Sequence, residues 1–129
     1  MKLPLLAGLT ALSVLLAVAA PATAGRAINY PVTIAPDVAY GSMLSARRSA
    51  DTVQYIGCSI NSPDATHTVR YAECDAVNAQ GRRLICNTTD AGMIATVQSI
   101  GAYHYILFRV DTQGRCTAVN TWISSDTLP

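Results

Sequence analysis

The sequence predicts a mainly-β or α+β fold: an antiparallel sheet of five to six strands, as a sandwich or an open barrel, with one short helix at about residues 89–100 and two disulfides. Short runs rich in β-branched and aromatic residues recur between polar breaks that contain Gly. One segment alone changes to a helical period. The cysteines number four, an even count, and all follow an apolar leader. Together these features favour a small disulfide-bonded β-rich domain.

The first 24 residues have the features of a secretory signal peptide. A positively charged start precedes the uncharged run Leu3–Ala20, and Pro21 then leads into small residues at positions 22 to 24. An uncleaved anchor helix is the alternative, since about 20 apolar residues span a bilayer. The proline and the small residues favour cleavage. We therefore expect residues 1–24 to be removed and residues 25–129 to form one secreted or periplasmic domain that does not contact the membrane.

The expected mature domain carries no formal net charge. Of the nine basic residues in the chain, Lys2 belongs to the leader, so eight remain against eight acidic residues. A neutral surface exerts no long-range attraction on nucleic acids or anionic membranes. We therefore expect no nucleic-acid partner.

Disulfide bonds are the expected role of the cysteines, because small exported domains commonly depend on them. A zinc site is the alternative, but zinc sites use ligands at CxxC-type spacing, which this sequence lacks. We therefore expect neither a metal nor a cofactor. The four residues are Cys58, Cys74, Cys86 and Cys116.

Three pairings of four cysteines exist, and hairpin geometry favours one. Two predicted strands, residues 71–78 and 82–88, flank a three-residue loop. If that loop closes a hairpin, Cys74 lies directly opposite Cys86, and opposed Cβ atoms in a sheet are about 4.5–5.5 Å apart. The predicted bonds are therefore Cys74–Cys86 and Cys58–Cys116.

The segments before this hairpin follow from turn and strand signals. Tyr30–Ile34 is a predicted edge strand, because Pro31 cannot donate to a ladder. Gly41–Ser49, which contains the pair Arg47-Arg48, is interpreted as an ordinary solvated segment. Alternating apolar residues in Asp51–Ile60 predict another strand.

A helix and a second hairpin complete the chain. Residues 88–90 offer N-caps and Gly101 a C-terminal stop, which together predict the helix at about residues 89–100. Residues 103–110 are apolar on both strand faces, which is typical of a strand inside a sheet. A four-residue turn would place Tyr103 opposite Trp122. The apolar stripe of the helix is Met93, Ile94, Val97 and Ile100.

No catalytic residue is assigned from the sequence. His104 is a candidate base with Thr121 as its expected neighbour, but a packed histidine bonded to a Thr hydroxyl is the favoured interpretation. His67 is expected in an exposed loop. Glu73 and Asp75 share one strand face and could flank a sugar. A solvated face beside Arg70 or Arg83 is the favoured interpretation of these acids.

Aromatic residues are the better candidates for binding. Exposed aromatic rings make good contact surfaces, and buried rings are ordinary core, which is the favoured interpretation here. The candidate binding patch is Tyr103, Trp122, Tyr105 and Tyr55.

Several segments resemble small secreted bacterial proteins with a β-rich fold, four cysteines and no assigned function. The resemblance covers roughly residues 53–123 and implies a bacterial exported β-rich domain with the cysteine framework described above. It transfers no catalytic residue. Its motifs are Tyr55-Ile56-Gly57-Cys58, Cys74, Cys86, Tyr105-Ile106-Leu107-Phe108 and Gly114-Arg115-Cys116.

The sequence thus favours an exported, non-enzymatic binding or inhibitor-like domain whose partner is an extracytoplasmic protein or glycan. One alternative is a small secreted hydrolase that uses His104 or the Glu73/Asp75 pair. Another is a structural cell-envelope protein that assembles with itself. An exposed aromatic patch favours the binding domain, a pocket with a base, an acid and a hydroxyl favours the enzyme, and a long unpaired edge strand favours assembly.

Overall fold

The computed structural model describes residues 26–62, 64–66 and 68–129, so the expected signal peptide and His67 lie outside the described residues. Within those ranges the chain forms seven strands and two helices. In chain order they are β1 (Thr33–Ile34), β2 (Val38–Ser42), α1 (Met43–Arg47), β3 (Tyr55–Asn61), β4 (Tyr71–Val77), β5 (Arg83–Thr88), α2 (Ala91–Gln98), β6 (Tyr105–Val110) and β7 (Cys116–Trp122).

The strands form two antiparallel sheets. A four-stranded sheet has the order β1-β2-β6-β7, and a three-stranded sheet has the order β3-β4-β5. A single parallel bridge between Asn87 and Arg115 connects the two sheets at one corner. This arrangement confirms the predicted β-rich α+β fold class. The described strand count exceeds the predicted one because β2, a short Val-Ala-Tyr-Gly-Ser segment, has too little apolar alternation to be recognised.

Strand β6 has the central position that its two apolar faces predict. It pairs with β2 on one side and β7 on the other. Ile106 and Phe108 point into the core and are fully buried. β1 lies at the edge of the same sheet, as Pro31, two residues before it, predicts.

The predicted hairpin of β4 and β5 is confirmed in its register. Asn78 donates its backbone N–H to the Arg82 carbonyl at 3.0 Å, and its side-chain oxygen accepts from the Arg82 amide at 2.9 Å. Gly81 has a φ of +76°, which favours glycine at that turn position. Cys74 lies opposite Cys86, as predicted.

The predicted disulfide pairing is nevertheless wrong. Cys74 lies on the middle strand and is opposed by Cys86 on one side and by Cys58 on the other. The bonds are Cys58–Cys74, with Cα atoms 4.0 Å apart, and Cys86–Cys116, with Cα atoms 5.0 Å apart. Opposition of two cysteines in a hairpin does not select a pair when a third cysteine occupies the next strand at the same level.

The register of the last hairpin also differs from the prediction. Asp111 donates its backbone N–H to the Arg115 carbonyl at 2.9 Å, so the turn encloses three residues rather than four. A bulge between Arg109 and Val110 adds a further shift. Trp122 therefore lies opposite Tyr105, and the expected opposition of Tyr103 and Trp122 is wrong.

Helix α2 forms where its cap and apolar stripe predict it, although it is shorter. The Asp90 carboxylate accepts from the Met93 amide at 2.8 Å and caps the helix. Ile94 and Val97 are buried. The helix packs against β7, β3 and β4 and so covers part of the core.

Helix α1 corrects the interpretation of residues 41–49 as an ordinary solvated segment. Ser42 caps it by accepting from the Ser45 amide, and Ala46 is buried. With five residues, α1 is too short for its apolar residues to show a helical period in the sequence. The pair Arg47-Arg48 remains exposed.

Candidate functional site

His104 contacts a hydroxyl but no acid among the described residues. Its Nδ1 lies 3.0 Å from the Thr121 hydroxyl oxygen, the neighbour predicted for it. The same hydroxyl donates to the Tyr105 carbonyl at 3.0 Å. A hydroxyl has one proton to donate, so a Thr121 hydroxyl that donates to the Tyr105 carbonyl can only accept from Nδ1–H of His104. This direction is the reverse of base activation, in which the imidazole accepts the hydroxyl proton.

The structure separates the two candidate carboxylates. Asp75 accepts two hydrogen bonds from Arg83, at 2.9 and 2.7 Å, and forms an exposed ion pair with it. These bonds raise the pKa of the Arg83 guanidinium. Glu73 is half-buried and makes no side-chain hydrogen bond within the described part of the chain. Of these two acids, only Glu73 lines the open groove between the two sheets that is described below.

The candidate aromatic patch is divided between the two sheets. Tyr105 is buried and stacks on Trp122 with ring centroids 3.8 Å apart. Burial raises the pKa of Tyr105. Trp122 and Tyr103 are about 40% exposed, at 43% and 39%. Tyr55, 51% exposed, lies on β3 in the other sheet. The structure thus brings together Tyr105 and Trp122 and leaves Tyr55 apart from them.

An open groove of about 930 Å³ lies where the outer face of the three-stranded sheet meets the start of α2 and the β6–β7 turn. We refer to this cavity as the groove. Its volume lies in the range of about 300–1,000 Å³ that is usual for clefts that hold small molecules. The polar residues that carry its chemistry are Tyr71, Glu73, Asn87, Asp90, Asp111 and Arg115.

The β6–β7 turn fixes one wall of the groove. The Asp111 carboxylate accepts from the backbone N–H groups of Gln113 and Arg115, each at 2.9 Å, and from Arg115 Nε at 2.8 Å. The Arg115 hydrogen bonds, first the backbone one and then the side-chain one, lower the pKa of Asp111. Both charged side chains therefore keep a defined position without a ligand.

The opposite wall comes from β4, β5 and the N-terminus of α2. Glu73 on β4 lies directly across from Asn87 on β5, so a carboxylate and an amide are adjacent on one face. Asp90 is held by the helix cap. Asp111, Asp90 and Arg115 Nε are thus already bonded, which leaves Glu73, Asn87 and the other guanidinium N–H groups of Arg115 to offer hydrogen bonds to a ligand.

Covalent and backbone bonds connect the two walls. The Cys86–Cys116 disulfide joins β5 to the first residue of β7, and Cys116 itself lines the groove. The backbone N–H of Asn87 donates to the Gly114 carbonyl at 3.1 Å. The shape of the groove consequently depends on bonds between the two sheets rather than on loop packing alone.

Sequence reasoning singled out Glu73 but not Asp111 or Arg115 as site residues. The signal for them was the Asp-Thr-Gln-Gly turn, in which an Asp at the first position bonds the following amides. Asn87 begins Asn87-Thr88-Thr89, which matches a glycosylation sequon and does not indicate a groove. Its position opposite Glu73 follows from the sheet register, which sequence alone did not connect to the β6–β7 turn.

Within residues 26–62, 64–66 and 68–129, no group of three or more His, Cys, Asp or Glu side chains is arranged to hold a metal ion. Neither helix in the same ranges has the length of apolar sequence needed to cross a membrane. No protein-family model, curated protein or solved structure matches this chain. A function for the groove is therefore inferred from its own side chains.

Proposed function

We propose that this protein is an exported, non-enzymatic binding domain that holds an extracytoplasmic ligand, a protein or a glycan, in the groove. The observation that carries the proposal is the Asp111–Arg115 pair beside the adjacent Glu73 and Asn87 at a disulfide-linked corner of the fold. Side chains that already occupy defined positions bind with less loss of conformational entropy. This preorganisation favours recognition.

Export is the second part of the proposal. Two disulfides fit an oxidising, extracytoplasmic environment. Residues 1–24 begin with a positive charge, continue as an apolar run and end in small residues. This order supports secretion or a periplasmic location. The proposed source is bacterial, in line with the four-cysteine resemblance.

A hydrolase is the main competing function. A nucleophile mechanism through His104 is disfavoured because the imidazole donates to Thr121 and does not accept from it. A paired-acid mechanism is disfavoured because Arg83 already binds Asp75. A self-assembling envelope protein is the third candidate, and it would use the seven-residue edge strand β7, against which α2 packs.

The test is ligand capture with the oxidised protein from periplasmic extract and culture medium of the source organism. Thr117 lines the groove and is exposed, so Thr117→Trp fills the groove without changing the core. Asn120 is exposed on the same strand but outside the groove, which makes Asn120→Trp the matched control.

We expect the unmodified protein and Asn120→Trp to retain the same ligand, and Thr117→Trp to lose it. Equal retention by both variants would place binding elsewhere and contradict the proposal. A hydrolase panel in which activity disappears with Glu73→Gln would instead establish the enzyme.

A further inference from the structure

We propose that the groove takes a neutral, hydroxyl-rich glycan of one or a few sugar units. This inference rests on the proposed binding function and specifies its ligand class. Three properties of the groove lead to it: the mixture of hydrogen-bond donors and acceptors, the sign of the unpaired charge, and the position of the apolar side chains.

The polar groups of the groove match hydroxyl groups. A sugar hydroxyl both donates and accepts a hydrogen bond, so a site for it must present both functions close together. Glu73 supplies acceptors, and the adjacent Asn87 supplies an amide donor and an amide acceptor. Arg115 adds donors from the facing wall, where Asp111 holds its Nε.

The charge of the groove selects against anionic ligands. Asp111 neutralises Arg115 through a direct ion pair, with Nε and Oδ2 2.8 Å apart. Asp90 is committed to the helix cap. Glu73 and Asp90 therefore leave the groove with a net negative charge, which repels sulfate, phosphate and carboxylate groups. A neutral ligand meets no such repulsion.

Two side chains with apolar surface, Val69 and Tyr71, lie together in the groove at one end of β4. Val69, just before β4, is 57% exposed, and Tyr71 is half-buried; both line the groove. An aromatic ring with an adjacent aliphatic side chain offers an apolar surface to the C–H face of a sugar ring. Glu73 follows two residues later on the same strand face, within reach of the ring hydroxyls.

A protein partner is the competing ligand class, and the distribution of apolar surface disfavours it. Protein interfaces have an apolar core that is depleted in charged residues. The described part of the chain has eight exposed large hydrophobic side chains, of which Val69 alone lines the groove. Charged and amide side chains form much of the rest of the groove lining.

The test is an amide chemical-shift titration of the oxidised, ¹⁵N-labelled protein at millimolar probe concentration. The probes are three neutral disaccharides (cellobiose, lactose and diacetylchitobiose), one sulfated disaccharide, and a short Lys- and Arg-rich peptide. We expect at least one neutral disaccharide to shift the amides of residues 87–93 and 111–117. The sulfated probe is expected to bind several-fold more weakly.

Substitutions then separate recognition from folding. Asn87→Ala is expected to weaken disaccharide binding about threefold to tenfold, whereas Asn120→Ala leaves it unchanged. Tyr71→Ala is expected to weaken binding about tenfold, and Tyr71→Phe, which keeps the ring, to weaken it less than about threefold. Glu73→Gln removes one of the two unpaired negative charges and is expected to reduce the difference in affinity between the sulfated and neutral probes.

Two results would overturn the glycan inference. Groove shifts produced by the basic peptide and by none of the sugars would identify a protein ligand, and the proposed binding function would stand. Absence of groove shifts with every probe would reject the glycan assignment. The binding function itself fails separately, if Thr117→Trp captures as much ligand from extracts as Asn120→Trp does.

Discussion

Cys86 is bonded to Cys116 across the two sheets, with Cα atoms 5.0 Å apart, at the corner where the groove opens. The Cys58–Cys74 bond, by contrast, connects neighbouring strands of a single sheet. The two disulfides therefore have different consequences for the site, although both stabilise the fold.

Removal of either disulfide should destabilise the protein by similar amounts but affect binding differently. The chain separations are 30 and 16 residues, for which the loop-entropy relation gives about 3.5 and about 3 kcal/mol. We expect Cys86→Ala/Cys116→Ala and Cys58→Ala/Cys74→Ala to lower the free energy of unfolding accordingly in urea titrations. Ligand capture should fall only in the variant that lacks the bond between the sheets. Equal capture by both variants would show that this bond does not shape the groove.

Gly81 and Gly114 provide a matched pair of turns. Each has a φ of +76°, and no atom lies within 4 Å of the position that a Cβ would occupy, so an alanine meets backbone strain without a steric clash. We expect Gly81→Ala and Gly114→Ala each to reduce the free energy of unfolding by about 1 kcal/mol. Only Gly114→Ala should weaken ligand binding. The strain at residue 114 displaces its carbonyl, which accepts a hydrogen bond from the backbone N–H of Asn87 in the groove. A binding defect in Gly81→Ala of the same size would contradict this account.

The hydrogen bonds of Thr121 predict the tautomer of His104. Since Thr121 donates to the Tyr105 carbonyl, the neutral imidazole must carry its proton on Nδ1. We expect ¹⁵N chemical shifts to show this tautomer, and Thr121→Val to abolish the preference with a loss of about 1 kcal/mol of stability. An Nε2–H tautomer in the unmodified protein would reverse the assigned direction and reopen a role for His104 as a base.

The lowered pKa of Asp51 predicts that the protein loses stability in acid. The Gln54 side-chain amide, followed by the backbone N–H groups of Gln54 and Val53, lowers the pKa of Asp51 to about 2. An unperturbed Asp titrates near pH ~3.9. Because the folded-state pKa is the lower one, this stabilisation is fully present above about pH 4 and is lost as the pH falls toward 2.

Carboxyl NMR titration measures that pKa directly, and urea unfolding across the same pH range measures its effect. Gln54 also accepts from the Val32 amide at 2.8 Å, so Asp51 supports the attachment of the chain before β1. Asp51→Asn should make the acid loss shallower. The Asp111 and Asp126 carboxyls, whose pKa values are also lowered, contribute to the pH dependence in the same direction. A pKa near 4 for Asp51 in the folded protein would refute the prediction.

Local patterns predicted the elements that local chemistry determines. The β4–β5 register follows from a three-residue loop, α2 from Asp90 and its apolar stripe, and the central position of β6 from two apolar faces. These features depend on residues close together in sequence.

The remaining features depend on contacts between distant segments. Cys74 had two equivalent partners, and only the position of β3 beside β4 decides between them. The groove requires β4 and the β6–β7 turn to meet, which no local period shows. Asp111 and Arg115 consequently had a recognisable turn signal but no recognisable role in a site.

Hydrogen–deuterium exchange, with and without the captured ligand, tests most directly whether the groove is the binding site. A ligand that binds only the native state slows the local opening of the segments it contacts. We predict added protection in the amides of residues 87–93 and 111–117 and unchanged exchange around Tyr105 and Trp122. Protection confined to the Tyr105–Trp122 face, with the groove segments unchanged, would contradict the account.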